Sequence, residues 1–182
     1  MTMLKPLRKI AEESIAFPVT ADEVLEFHAA RLILLFRNCG IGGRIDGLTK
    51  MAKLDFFVRY PVFFARLDTT APEGLKNRVE SSMIRFHYGP WDPRYYRVLT
   101  YLEAKGLIGV TKSGRGYQFD LSPLGKDVSD ELANRPEFRN MVAQMKSVKK
   151  LLGDKSGSAL KQMIYKQFSQ EVTDRRLGEV IE

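Results

Sequence analysis

The run from Asp92 to Leu132 constrains the fold of this chain more than any other stretch. Asp92 is a good helix N-cap, and Pro93 takes the first helical position, where a missing amide costs nothing. Tyr95, Val98, Leu99 and Leu102 then recur at i, i+3, i+4 and i+7, the spacing of a core-facing helix. Gly106 closes that helix. Leu107–Thr111 reads as a strand, Lys112-Ser-Gly-Arg-Gly116 as a tight turn and Tyr117–Leu121 as the returning strand, with Tyr117, Phe119 and Leu121 on one face. Ser122-Pro123 caps a further helix, in which Leu124, Val128 and Leu132 are spaced four apart. Helix, hairpin with a Gly-Arg tip, helix: this order predicts the second half of a winged helix-turn-helix.

Two earlier helices supply the first half. Thr20-Ala-Asp-Glu23 has the form of a capping box, the Thr20 hydroxyl accepting from an orphan amide and Glu23 reaching back. The helix behind it, Ala21 to about Asn38, is apolar on most faces and is expected to be the central, buried one. His28 within it is expected to be a satisfied core histidine, not a ligand. Cys39-Gly-Ile-Gly-Gly43 lacks the preceding strand and following Gly-Lys-Ser/Thr of a phosphate loop, so it reads as a C-cap and turn. Residues 48–60 put Met51, Leu54, Phe57 and Val58 on one face and predict a second helix ending before Pro61. A short apolar piece, Val62–Leu67, precedes a loop at Asp68–Lys76.

After Asn134 the pattern changes. Phe138, Met141, Met145, Val148 and Leu152 form a narrow 3-4-3-4 seam, and Leu160, Met163, Ile164 and Phe168 mark another amphipathic helix. These stripes must be covered, either by folding back on the chain or by docking on a partner. The expected organisation is an N-terminal arm (1–19), a winged-helix domain (20–134) and a C-terminal helical extension (135–182). The fold class is mainly α with a small β-hairpin wing.

Composition narrows the function. Cys39 is the one cysteine, which excludes an internal disulfide, and with two histidines it cannot build the usual zinc site. No serine elbow, cysteine–base pair or clustered carboxylates suggest a nucleophile or a nuclease centre. No catalytic residue, metal or cofactor is expected, and the chain reads as a non-enzyme. Glu12 and Glu13 interrupt the first eighteen residues, and the most apolar run, Ala29–Phe36, is short and carries Arg31. A cytoplasmic protein with no membrane partner is expected.

The net charge of +7 favours polyanionic partners. Arg94, Arg97, Tyr101 and Lys105 fall on one stripe opposite the core face of their helix, and Lys112 and Arg115 sit on the hairpin tip. In a winged helix these are the recognition helix and the wing, so the six residues are candidates for double-stranded DNA contact. Beyond Thr100 the stripe lacks Asn, Gln or Ser, which favours phosphate contact over base reading. The alternative is a solvated basic face. Next to it, Tyr88 and Trp91 flank the rigid Gly89-Pro90 turn and are of the residue types that anchor interfaces; equally, Trp91 could plug the chain's own core.

The runs YGPWDPRYYRVLTYLEAKGLI, LTKMAKLDFFVRYP, SGRGYQFDLSPLG and ALKQMIYKQF resemble the middle component of three-component ABC-ATPase systems of the Lamassu type, across roughly residues 20–181. In that anti-phage and anti-plasmid defence, the small subunit accompanies an ATPase of the structural-maintenance-of-chromosomes (SMC) type and an effector, often a nuclease. Tyr88-Gly-Pro-Trp-Asp-Pro93 is the most specific piece. The resemblance implies a non-enzymatic adaptor joining ATPase and effector, with no catalytic residues to carry over. Its candidate partner interface is Tyr88 and Trp91 together with the seam Phe138, Met141, Met145, Val148 and Leu152. The alternative is a homodimeric winged-helix transcription regulator or antitoxin, paired through the 138–152 seam and bound to a palindrome.

Overall fold

The computed structural model describes residues 20, 23–68, 82–114 and 116–181. The expected N-terminal arm, most of the loop after Asp68, and Arg115 lie outside the described residues. Helix α1 runs Leu25–Cys39, starting later than the capping box predicts. Glu23 does reach back, its carboxylate accepting from the Thr20 amide at 2.9 Å, but the Thr20 hydroxyl donates to that same carboxylate at 3.0 Å. That hydroxyl is therefore spent on Glu23, and Val24 begins the helix without a side-chain cap.

After α1, the chain makes β1 (Arg44–Asp46) and α2 (Leu48–Arg59). Helix α1 is buried along most of its length, as expected, with Arg31–Phe36 enclosed without a break, and α2 is buried more completely still. Every residue from Met51 to Tyr60 is buried, Lys53, Asp55 and Arg59 included. One apolar face had been expected, but α2 is covered on all sides, by α1, by strand β3 (Gly89–Trp91) and by the C-terminal helices α6 (Arg139–Leu152) and α7 (Gly157–Gln167).

Between α2 and the stretch from Asp92 lie helix α3 (Pro61–Ala65), strand β2 (Met83–Phe86) and β3. Strand β2 pairs antiparallel with β3, and on its other side with β6 (Val180–Ile181), giving a small sheet in the order β3-β2-β6. The Tyr60 hydroxyl ties this sheet to α2, accepting from Met83 N at 2.7 Å and donating to Ile181 O at 2.8 Å.

Helix α4 (Tyr95–Ala104) buries Tyr95, Val98, Leu99 and Leu102, the face that periodicity assigned. Strands β4 (Ile108–Ser113) and β5 (Gly116–Leu121) follow, and β1 pairs on the far edge of β5, in the order β1-β5-β4. The ladder extends to Ser113 opposite Gly116, so the hairpin closes on two residues where five were expected. Gly114, at φ +57°, adopts the left-handed backbone such a short turn needs.

Helix α5 (Pro123–Ala133) begins with Ser122 Oγ accepting from Gly125 N at 2.9 Å. It buries Gly125 and Ser129, while Leu124 is exposed and Val128 and Leu132 are half-buried. The small face wins because the backbone passes close by: a Cβ on Gly125 would lie 1.9 Å from the Leu107 carbonyl oxygen. Gly125→Ala is expected to lower stability by about 1–3 kcal/mol or more in thermal unfolding. Gly109→Ala, where a Cβ meets nothing within 4 Å, is the matched control and should cost little.

The C-terminal stripes fold back. Met145, Val148, Leu152, Leu160, Ile164 and Phe168 are buried in one hydrophobic cluster with residues of α1, α2 and α4. The expected boundary at residue 134 is therefore no gap in the core. Met141, Met145, Val148 and Leu152, offered above as partner-interface residues, serve instead as internal packing, and Phe138 is half-buried against the same cluster.

Candidate nucleic-acid and partner surfaces

Arg97 and Lys105 project from the exposed face of α4, and Lys112 from the exposed part of β4. Tyr101 is half-buried against the core, with Lys105 Nζ 5.6 Å from its ring centre. Arg94 does not join this stripe. Its Nε and Nη2 donate to the two Asp92 carboxylate oxygens at 2.8 and 3.0 Å. The face that could meet a polyanion is thus Arg97, Lys105 and Lys112, with Arg115 outside the described residues.

Asp92 belongs to a buried ion network the sequence reading did not foresee. Arg59 Nη1 donates to Asp92 Oδ2 at 2.7 Å, and Arg31 Nε to Asp55 Oδ1 at 3.1 Å. The Tyr95 hydroxyl donates to Asp55 Oδ2 at 2.7 Å, and Arg31 Nη1 to His28 Nδ1 at 2.9 Å, so that nitrogen is the acceptor. Cross-contacts of 3.6 Å (Arg59–Asp55) and 3.7 Å (Arg31–Asp92) close the ring. Burial alone would raise the Asp92 carboxyl, but the hydrogen bond from Arg94 and the charge of Arg59 hold it well below the usual carboxylate range. The network pins α1, α2 and the start of α4 together, and His28 is a satisfied core histidine. A signal was available in Arg31 within an otherwise apolar helix, and in Asp55 and Arg59 one turn apart.

The aromatic stretch forms both part of the core and an open cleft. Trp91 is half-buried, its ring edge-on to Tyr95 at 5.0 Å and close to Tyr96 (5.8 Å) and Phe86 (6.0 Å). Its exposed side joins Leu48, Phe86, Tyr88 and Tyr96 in lining a cleft, with Thr49, Gly89 and Lys53 completing it. Lys53 is buried, and its ammonium donates to Pro90 O at 2.9 Å. Burial, and after it the charge of Lys161, push its pKa down to about 7.

Cys39 is enclosed between α1 and α6, its thiol donating to Met145 O at 3.3 Å, and burial pushes the thiol pKa up. Among the described residues no group of three His, Cys, Asp or Glu side chains could hold a metal ion, and no helix is long and apolar enough to cross a membrane.

Set against known proteins, the chain matches no family model, no curated protein and no solved structure at a significant level.

Proposed function

We propose that this chain is a winged-helix accessory subunit of an SMC-like ATPase defence complex, a non-enzymatic adaptor that joins the ATPase to an effector nuclease and touches DNA phosphates with α4 and the β4–β5 hairpin. The observation that carries the fold part is the sheet order β1-β5-β4. It adds the first strand, lying between α1 and α2, to the helix and hairpin foreseen from sequence. This order supports the helix–strand–helix, helix–hairpin plan of a winged helix, read with β2, β3 and α3 as an insertion before its recognition helix. The adaptor role rests on the resemblance of the Tyr88–Pro93 turn and the helix behind it.

The burial of Met145, Val148 and Leu152 removes the seam from both readings; the adaptor keeps Tyr88 and Trp91 as its candidate interface, and the homodimeric regulator is left without a candidate pairing face. The seam through which such a regulator would pair is already covered by its own chain. Co-expression with the ATPase encoded beside it, followed by affinity capture and light scattering, is the deciding experiment. A defined complex is the expected product, and a lone homodimer would overturn the adaptor.

DNA contact has its own test. Replacing Arg97, Lys105 and Lys112 with Glu should weaken duplex binding at low salt and reduce the slope of log affinity against log salt by about three, roughly one per lost phosphate contact. An unchanged slope would remove the phosphate-contact role.

A further inference from the structure

We propose that the Trp91 cleft is a docking groove for an extended segment of a partner protein, and that Lys53 on its floor receives a carboxylate from an acidic residue of that segment. The proposal rests on the adaptor reading, since it takes the partner to be a subunit of the same complex.

Lys53 is a buried cation without a counter-charge among the described residues. Its residue is 1% exposed, its ammonium makes a single hydrogen bond, to Pro90 O, and it forms no ion pair among the described residues. A lysine has three donors, so two remain unused. A buried ammonium with no counter-charge is costly, and the charge of Lys161, which adds to that cost, has the same sign. The arginines of the adjacent ion network each have carboxylates to pair with. Lys53 has none, and it lines the floor of an open cleft. An incoming carboxylate would supply the missing charge.

The shape of the cleft selects the ligand. It encloses about 180 Å³, room for a side chain and less than the roughly 300–1,000 Å³ of a small-molecule pocket. Leu48 and Tyr96 also line a hollow between α4 and the hairpin, with Val110 and Tyr117, and Thr49 and Tyr88 also line one at the start of α7, with Ser158 and Lys161. Neighbouring hollows that share walls with the cleft suit an extended chain with a side chain in each. The aromatic rim is open to solvent, with Tyr88 59% and Tyr96 62% exposed, as at an unfilled interface.

The size of the cleft decides between a peptide and a nucleic acid. Glu103 in one outer hollow would repel a phosphodiester backbone, whereas in the other Lys50 and Lys161 outnumber Asp46, so rim charge does not make the choice. A cleft of about 180 Å³ over a lysine that is 1% exposed admits an Asp or Glu side chain and not a nucleic-acid backbone. The buried Lys53 amine lines that cleft, and the group that would pair with it is the carboxylate of an Asp or Glu.

The chain has one tryptophan, so its fluorescence reports on this cleft directly. The probes are acetyl-Phe-Glu-Phe-amide, its Gln counterpart, and a ten-nucleotide oligo(dT), each titrated into the full chain. Saturable change in Trp91 emission with the Glu peptide is expected, about tenfold tighter than with the Gln peptide. Lys53→Met should abolish the difference, and Tyr88→Ala, on the exposed rim, should weaken both peptides. Equal affinity for the two peptides, no change in emission, or tighter saturation by oligo(dT) would overturn the proposal. If Lys53→Met fails to fold, the Glu/Gln ratio in wild type and in Tyr88→Ala decides alone. The outcome is separable from that of the adaptor reading. Full capture of the ATPase by Lys53→Met and Tyr88→Ala, with no peptide discrimination in wild type, rejects the groove and keeps the adaptor. Lys53-dependent peptide binding without any ATPase complex does the reverse.

Discussion

Asp55→Ala should lower the stability of this protein by about 3–5 kcal/mol, read from the midpoint of urea unfolding. The carboxylate is fully buried and accepts from Arg31 and Tyr95 while lying 3.6 Å from Arg59. Removing it leaves two buried guanidinium groups to share Asp92 and orphans the Tyr95 hydroxyl. Arg94→Ala removes a group on the partly exposed edge of the same network, and its cost should be near 1 kcal/mol. Equal costs for the two variants would mean that burial is not what makes the network matter. The network also shapes the acid response. Because the folded Asp92 carboxyl titrates well below its unfolded value of about 3.9, its contribution is fully present above that value. The contribution is lost as pH falls through the lower, folded value. A plot of stability against pH should therefore decline below about pH 4 in the wild type and less steeply in Asp92→Asn.

Val148→Asp should be the most damaging single change in the C-terminal part, by several kcal/mol, because it places a charge with no partner inside the core. Lys150→Asp, two residues along the same helix but exposed, is the control and should stay within about 0.5 kcal/mol of wild type. Since α6 and α7 share one core with α1, α2 and α4, the damage should be global. Far-UV circular dichroism and Trp91 fluorescence should then shift together. A loss of helical signal with Trp91 emission unmoved would mean that the C-terminal helices form a separate cooperative unit.

What could be read from sequence followed the strength of local signals. The face of α4, the β4–β5 hairpin and the cap of α5 are each written within about a dozen residues, by periodicity, paired glycines and a Ser-Pro step. The sheet β3-β2-β6 was not legible. Its strands are two to four residues long, one contains a proline, and they join residues nearly a hundred positions apart. The charged residues of α2 were misleading for a different reason. Lys53, Asp55 and Arg59 interrupt the apolar pattern of that helix on opposite sides and suggest exposure, yet their partners come from α1, from Pro90 and from Asp92, which no local window contains. The same limit applied to Arg94, whose spacing suits a recognition stripe while its guanidinium is committed to Asp92.

The burial of Cys39 gives the protein an internal clock. Its thiol is sealed under α6, and its raised pKa keeps it protonated, so an alkylating reagent can modify it only when α6 lifts from α1. With only one such group in the chain, the labelling rate at saturating reagent equals the rate of that opening. A single mass measurement over time, on otherwise native protein, would follow the breathing of the joint between the two halves and the degree to which a bound partner slows it.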